Sequence, residues 1–90
     1  MKIATVGLDI ATLADLAEGQ TAVLESLSLP QRTSEHLMWL GFVPGVPVTA
    51  GRSGPGGDPR VYSVGGSAFA LRRETARCIR VNSSEAGVPA

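Results

Sequence analysis

The sequence predicts a mainly β domain, a small β-barrel of about five strands with one α-helix inserted near residues 30–40. Three observations carry this reading. Eleven glycines and six prolines among 90 residues demand many tight turns, which suits short strands better than long helices. Apolar residues alternate in short runs: Val46, Val48 and Ala50; Tyr62 and Val64; Phe69 and Leu71; Ile79 and Val81. Helical spacing of useful length occurs only between Ser28 and Gly41.

The elements follow in order. Met1 to Ala11 has no clear period and reads as an N-terminal arm. Thr12 can start a helical turn with the Asp15 carboxylate reaching back to it, and Leu13 and Leu16 are spaced to be buried together before Gly19 ends the turn. Gln20 to Leu27 is the first strand; Ala22 and Leu24 share a face while Leu27 falls out of register, the mark of a bulge or of the chain leaving the sheet. Ser28 with Gln31 is a capping signal for a helix from about Pro30 to Leu40, with Thr33, Leu37 and Leu40 on one stripe. Gly41 stands where a left-handed cap belongs, and Pro44-Gly45 suits the centre of a type II turn. Val46 to Ala50 is the second strand, with Pro47 near its start or on an edge. Ser53 to Pro59 can only be a loop. Tyr62 and Val64 face inward, Gly65-Gly66 makes a hairpin turn, and Phe69 and Leu71 face inward on the return. Arg73 to Arg77 is one helical turn over Ala76, and Ile79 with Val81 closes the barrel. The barrel domain thus spans residues 12–81, and residues 82–90, without periodicity, read as a disordered tail. No internal repeat or linker divides the chain.

Composition excludes several classes of function. The formal net charge is zero, which argues against a nucleic-acid binder working by bulk electrostatics. Charge is nonetheless uneven. Residues 1–45 carry two basic and five acidic side chains, residues 46–90 six arginines and three acids, so a basic face is compatible with neutrality. Only four aromatic residues exist, and Tyr62 and Phe69 are assigned to the core, which leaves no stacking platform for bases. The single cysteine, Cys78, excludes an internal disulfide and fits a reducing compartment. Met1 to Ile10 lacks the pattern of a signal peptide, and no run approaches the ~20 apolar residues of a membrane helix. A soluble cytoplasmic protein is expected.

Catalytic and metal-binding patterns are missing. His36 has no cysteine or carboxylate at a recognised ligand spacing and reads as an ordinary helix residue. Cys78 has no CxxC partner. Gly54 to Pro59 superficially resembles a phosphate-cradling loop, but it lacks the Gly-Lys-Ser/Thr ending and its prolines remove needed donors. Asp58 is expected to make a local turn bond to the backbone that follows it. The expectation is no enzyme, no cofactor and no metal site within one chain.

Trp39 is the residue that stands out. At 100° per residue it lies about 160° around the helix from Leu37, on the outer face, with Met38 and Phe42 nearer to it than to the buried stripe. An exposed tryptophan with apolar neighbours marks a contact site; alternatively, Trp39 folds over the barrel mouth as core cover. The arginines from Arg72 to Arg80 read as a solvated face, with a protein-contact face as the second reading.

Leu13-Ala14-Asp15-Leu16, Gly19, Leu40-Gly41-Phe42-Val43-Pro44-Gly45, Gly57-Asp58-Pro59, Leu71-Arg72, Ala76, Ile79 and Val81 together resemble the FeoA family in order and spacing, over roughly residues 12–81. The same module ends some iron-dependent repressors. The resemblance implies an SH3-like barrel and a cytoplasmic accessory protein of ferrous iron transport, part of iron homeostasis. Its implied partner is FeoB, the membrane ferrous iron transporter with a cytosolic GTPase domain, reached by protein–protein contact. Two departures concern the helix: His36 stands where many members have a basic residue, and Trp39 where they have a small or polar one. The candidate partner-binding residues are therefore Trp39, Met38, Phe42, Arg72, Arg73 and Arg77. The competing reading is a free-standing regulatory module that binds a peptide or an iron-responsive transcription factor; a third is an Fe²⁺ carrier. A homo-oligomer is compatible with all of them.

Overall fold

The computed structural model describes residues 11–82. The expected arm, apart from Ala11, and the expected tail, apart from Asn82, lie outside these residues. Five strands form one antiparallel sheet: β1 (Thr21–Leu27), β2 (Pro47–Ser53), β3 (Arg60–Val64), β4 (Ser67–Leu71) and β5 (Ile79–Asn82), in the order β4-β3-β2-β1-β5. Two helices interrupt them, α1 (Gln31–Leu40) between β1 and β2 and the single turn α2 (Arg73–Ala76) between β4 and β5.

The mainly β class, the number of strands and the inserted helix are as expected, but the sheet does not close. β4 and β5 occupy opposite edges instead of pairing. The reason lies in the crossing between them: after Leu71 the chain turns through α2 and emerges on the far side of β1, where Leu24 pairs with Val81 and Leu27 with Ile79. Asn82, expected to begin the tail, is the last residue of β5 and pairs with Val23.

Local chemistry explains most boundaries. The Asp15 carboxylate accepts hydrogen bonds from the Ala11 and Thr12 amides, both at 3.0 Å, and so fixes the short 3-10 turn Leu13–Asp15. The register of β1 against β5 shifts between Leu24 and Ser26, which is the bulge that the misplaced Leu27 signalled. Gly65 and Gly66 both have positive φ, +57° and +86°, and join β3 to β4 by a two-residue turn that side chains with a Cβ disfavour. Pro47 is the exposed first residue of β2, a position that needs no internal ladder donor.

The core contains Leu13, Leu16, Ala22, Leu24, Leu37, Phe42, Val48, Ala50, Tyr62, Val64, Leu71, Ala76, Ile79 and Val81. Every strand thus contributes alternate residues to one side, and the 3-10 turn, α1 and α2 cover that side from above. Phe69 is half-buried and tilts against Phe42, with ring centroids 5.8 Å apart.

Candidate functional site

The helix α1 is lightly packed. Its N-cap is Pro30, with no side-chain cap, so the expected Ser28–Gln31 capping pair does not form; Gln31 instead donates to Glu35 one turn on, at 3.0 Å. Thr33, expected on the buried stripe, is exposed, and only Leu37 is fully covered while Ser34 and Leu40 are half-buried. Ser34 faces inward because its hydroxyl donates to the Leu29 carbonyl at 3.2 Å. The helix stops at Gly41, whose φ of +113° lets its amide return to the carbonyls of Leu37 and Met38.

This stop divides the expected contact residues. Trp39 is 87% exposed and Met38 42%, and with Glu35 they line a shallow open patch on the solvent side of α1. Trp39 therefore does not cover the core. Phe42 does not join it: its amide bonds to the Leu37 carbonyl at 3.0 Å and its ring is fully buried, so the placement of Phe42 on the contact face is corrected. Helical geometry ends at Gly41, where the left-handed residue reverses the chain and turns the next side chain into the core.

The arginines also separate. Arg72, Arg73 and Arg77 are all exposed around the buried Ala76. Asp58 does not bond locally: its Oδ1 accepts the Arg73 amide at 2.9 Å and so caps the first turn of α2 from the β2–β3 loop. A Cβ on Gly57 would lie 3.1 Å from the Arg73 guanidinium, which folds over that glycine. Arg73 accordingly lines a polar cleft of about 50 Å³ with Ala14, Gly57, Asp58, Arg60 and Tyr62. Arg60 donates to the Leu16 carbonyl and to Ser53 Oγ, the latter at 3.1 Å, and the Tyr62 hydroxyl donates to the Leu13 carbonyl at 3.1 Å. This cleft ties β3, the β2–β3 loop, α2 and the 3-10 turn together; sequence reasoning missed it because the bonds from Arg60 to Leu16, Tyr62 to Leu13 and Arg73 to Asp58 join residues distant in the chain.

Burial raises the Tyr62 hydroxyl above the usual 10.0, with the neighbouring Arg60 charge opposing the shift. A folded-state value above the unfolded one means that the contribution is whole below pH 10 and is lost as pH rises through the folded value. Tyr62→Phe should therefore lower stability at neutral pH by about 1 kcal/mol, measured by urea unfolding. The margin of the native chain over this variant should shrink only in alkali.

The Ser28 amide bonds to the Cys78 carbonyl at 2.7 Å, which anchors the approach to α1 beside the junction of α2 and β5. Trp39 lies about 12 Å along the helix axis from Gln31, the first residue of α1. His36 is exposed on α1, and the half-buried Cys78 thiol lies 3.5 Å from the Glu74 carbonyl. Among the described residues no group of three or more His, Cys, Asp or Glu is placed to hold a metal ion, and no helix is long and apolar enough to cross a membrane.

The family model described as the FeoA domain matches residues 11–83. Among solved structures, the FeoA protein from Chlorobium tepidum aligns with a TM-score of 0.76 and 30% identity over 80% of this chain and 69% of that one. Iron(II) transport protein A from Clostridium thermocellum aligns with a TM-score of 0.76 and 31% identity over 82% of this chain but 46% of that one, so this chain spans less than half of its length. FeoA from Stenotrophomonas maltophilia, crystallised with zinc and described as a prokaryotic SH3 domain protein, aligns with a TM-score of 0.72 and 35% identity over 81% of this chain and 91% of that one. No curated protein matches the chain. The fold is that of a small SH3-like accessory domain. The chain belongs to the FeoA family, whose place is in ferrous iron transport.

Proposed function

We propose that this protein is a non-enzymatic cytoplasmic adaptor of ferrous iron uptake, which binds the cytosolic part of the FeoB transporter through the apolar patch around Trp39 and thereby modulates Fe²⁺ entry. The observation that supports this most is the exposure of Trp39, 87%, on a helix whose inner face is needed for packing and whose outer face is not. A large aromatic held in water on a rigid element is an anchor for a partner surface. Arg72 and Arg77, both exposed, add charge that steers an acidic partner and raises the association rate. The test is a binding titration of the full chain against the transporter's purified cytosolic part. Saturable micromolar binding is expected; a flat titration, or binding only to a transcription regulator, overturns the reading.

An adaptor needs no iron of its own. Fe²⁺ accepts imidazole and carboxylate donors, and His36 and Cys78 sit on separate elements, with no group of three or more His, Cys, Asp or Glu placed to hold a metal ion among the described residues. Anaerobic calorimetric titration of Fe²⁺ into the full chain should therefore show no saturable micromolar binding. A tight stoichiometric site would favour an iron carrier instead.

A further inference from the structure

The two edges of the sheet are treated differently. Beyond β5, Thr12 bridges Arg80 and the Val81 amide donates to the Ala11 carbonyl at 3.0 Å, so that edge is covered. Among the described residues no strand pairs with the outer side of β4.

Which groups β4 leaves unpaired follows from its turn. A two-residue turn with both φ values positive makes the flanking Val64 and Ser67 a hydrogen-bonded pair. Bonded pairs then alternate along the hairpin, Tyr62 with Phe69 and Arg60 with Leu71, in a register without a shift. The amides and carbonyls of Ser67, Phe69 and Leu71 thus face β3, while those of Ala68 and Ala70 point away from the sheet. Natural edges are blunted by charge, proline or a bulge. Ser67–Leu71 contains none of these, and Ser67, Ala68 and Ala70 are exposed.

We infer that this edge pairs with the same edge of a second copy, antiparallel about a two-fold axis at Phe69, so that two five-stranded sheets become one. The unpaired groups are themselves two-fold symmetric: Ala68 of one copy meets Ala70 of the other, and both pairs exchange two hydrogen bonds. In that register Arg72 stands opposite Gly66 of the second copy, so no arginine faces an arginine. The chain is neutral overall, and copies do not repel at long range. The side chains of Ala68 and Ala70 are too small to obstruct the approach. A foreign strand could use the same backbone groups; a second copy is the occupant argued for because its two-fold register pairs every outward amide and carbonyl of Ala68 and Ala70 and opposes no like charges. Five residues of edge make a modest contact, so the dimer forms with rising concentration.

The experiment is residue-resolved amide hydrogen exchange on the full chain at micromolar and millimolar concentration, beside sedimentation at the same concentrations. The Ala68 and Ala70 amides should exchange at least about ten-fold more slowly in the concentrated sample, while those of Phe69 and Leu71 stay protected in both. Ala70→Pro removes an outward donor but none that β3 uses, and should remain folded and monomeric; Ala70→Lys, which places charge on the edge, gives the same readout if the proline variant fails to fold. A monomer at every concentration overturns the proposal. So does association that leaves these two amides unchanged, or that persists in the variants. Protection of Ala68 and Ala70 that appears only on adding the transporter's cytosolic part assigns the edge to a foreign strand and overturns it as well.

Discussion

Replacing Phe42 with alanine should cost about 3–5 kcal/mol of folding stability, the largest effect of any single substitution considered. The ring is fully buried, packs against Phe69 at 5.8 Å, and stands at the point where the chain leaves α1 for the sheet. A domain of this size has a total stability of roughly 5–13 kcal/mol, so the loss is a large share of the whole. At about 4–8 °C per kcal/mol the melting temperature should fall by 12 °C or more. Urea unfolding followed by circular dichroism measures it directly. Phe42→Leu retains most of the buried volume and should fall between the variant and the native chain. A Phe42→Ala protein that melts with the native chain would contradict the burial of this ring.

Trp39→Ala should do the reverse. With 87% of the residue in water, truncation removes little that the fold uses, and stability should change by less than about 0.5 kcal/mol. Binding to the transporter's cytosolic part should weaken by about 2 kcal/mol or more, roughly thirty-fold in Kd, because a buried aromatic anchor carries a disproportionate share of an interface's energy. The loss should appear mainly in the dissociation rate. Substituting Arg72 and Arg77 with alanine should instead slow association and flatten its salt dependence. Surface-immobilised kinetics with a melt of each variant separates the cases. An early melt of Trp39→Ala would make the residue structural; normal folding with unchanged binding would move the contact surface off α1.

The parts of the fold legible in the sequence were those set by local chemistry. Alternation placed Val48, Ala50, Tyr62, Val64, Ile79 and Val81 in the core, and Gly41 and Gly65-Gly66 marked turns that require positive φ. Features set by distant residues were not legible. Asp58 reads as a turn residue because its neighbours are Gly57 and Pro59, yet its partner is the Arg73 amide, fifteen positions away. Ile79 and Val81 read as the strand that closes the barrel, whereas the crossing through α2 decides which edge β5 joins. For the contact surface, helical periodicity placed Trp39 and Met38 in solvent and failed at Phe42, one residue past the cap, where that periodicity no longer applies.

The covering of β5 by Ala11 and Thr12 has a consequence for how such a unit can be combined with other chains. The Ala11 carbonyl and the Val81 amide are hydrogen-bonded, so the described fold is entered and left at adjacent points of one corner. A unit whose two doorways stand side by side can be spliced into a surface loop of a host protein, or appended to either of its ends, without either junction crossing the core. Ala11 and Asn82 both stand at the β5 edge of the sheet, the edge opposite β4.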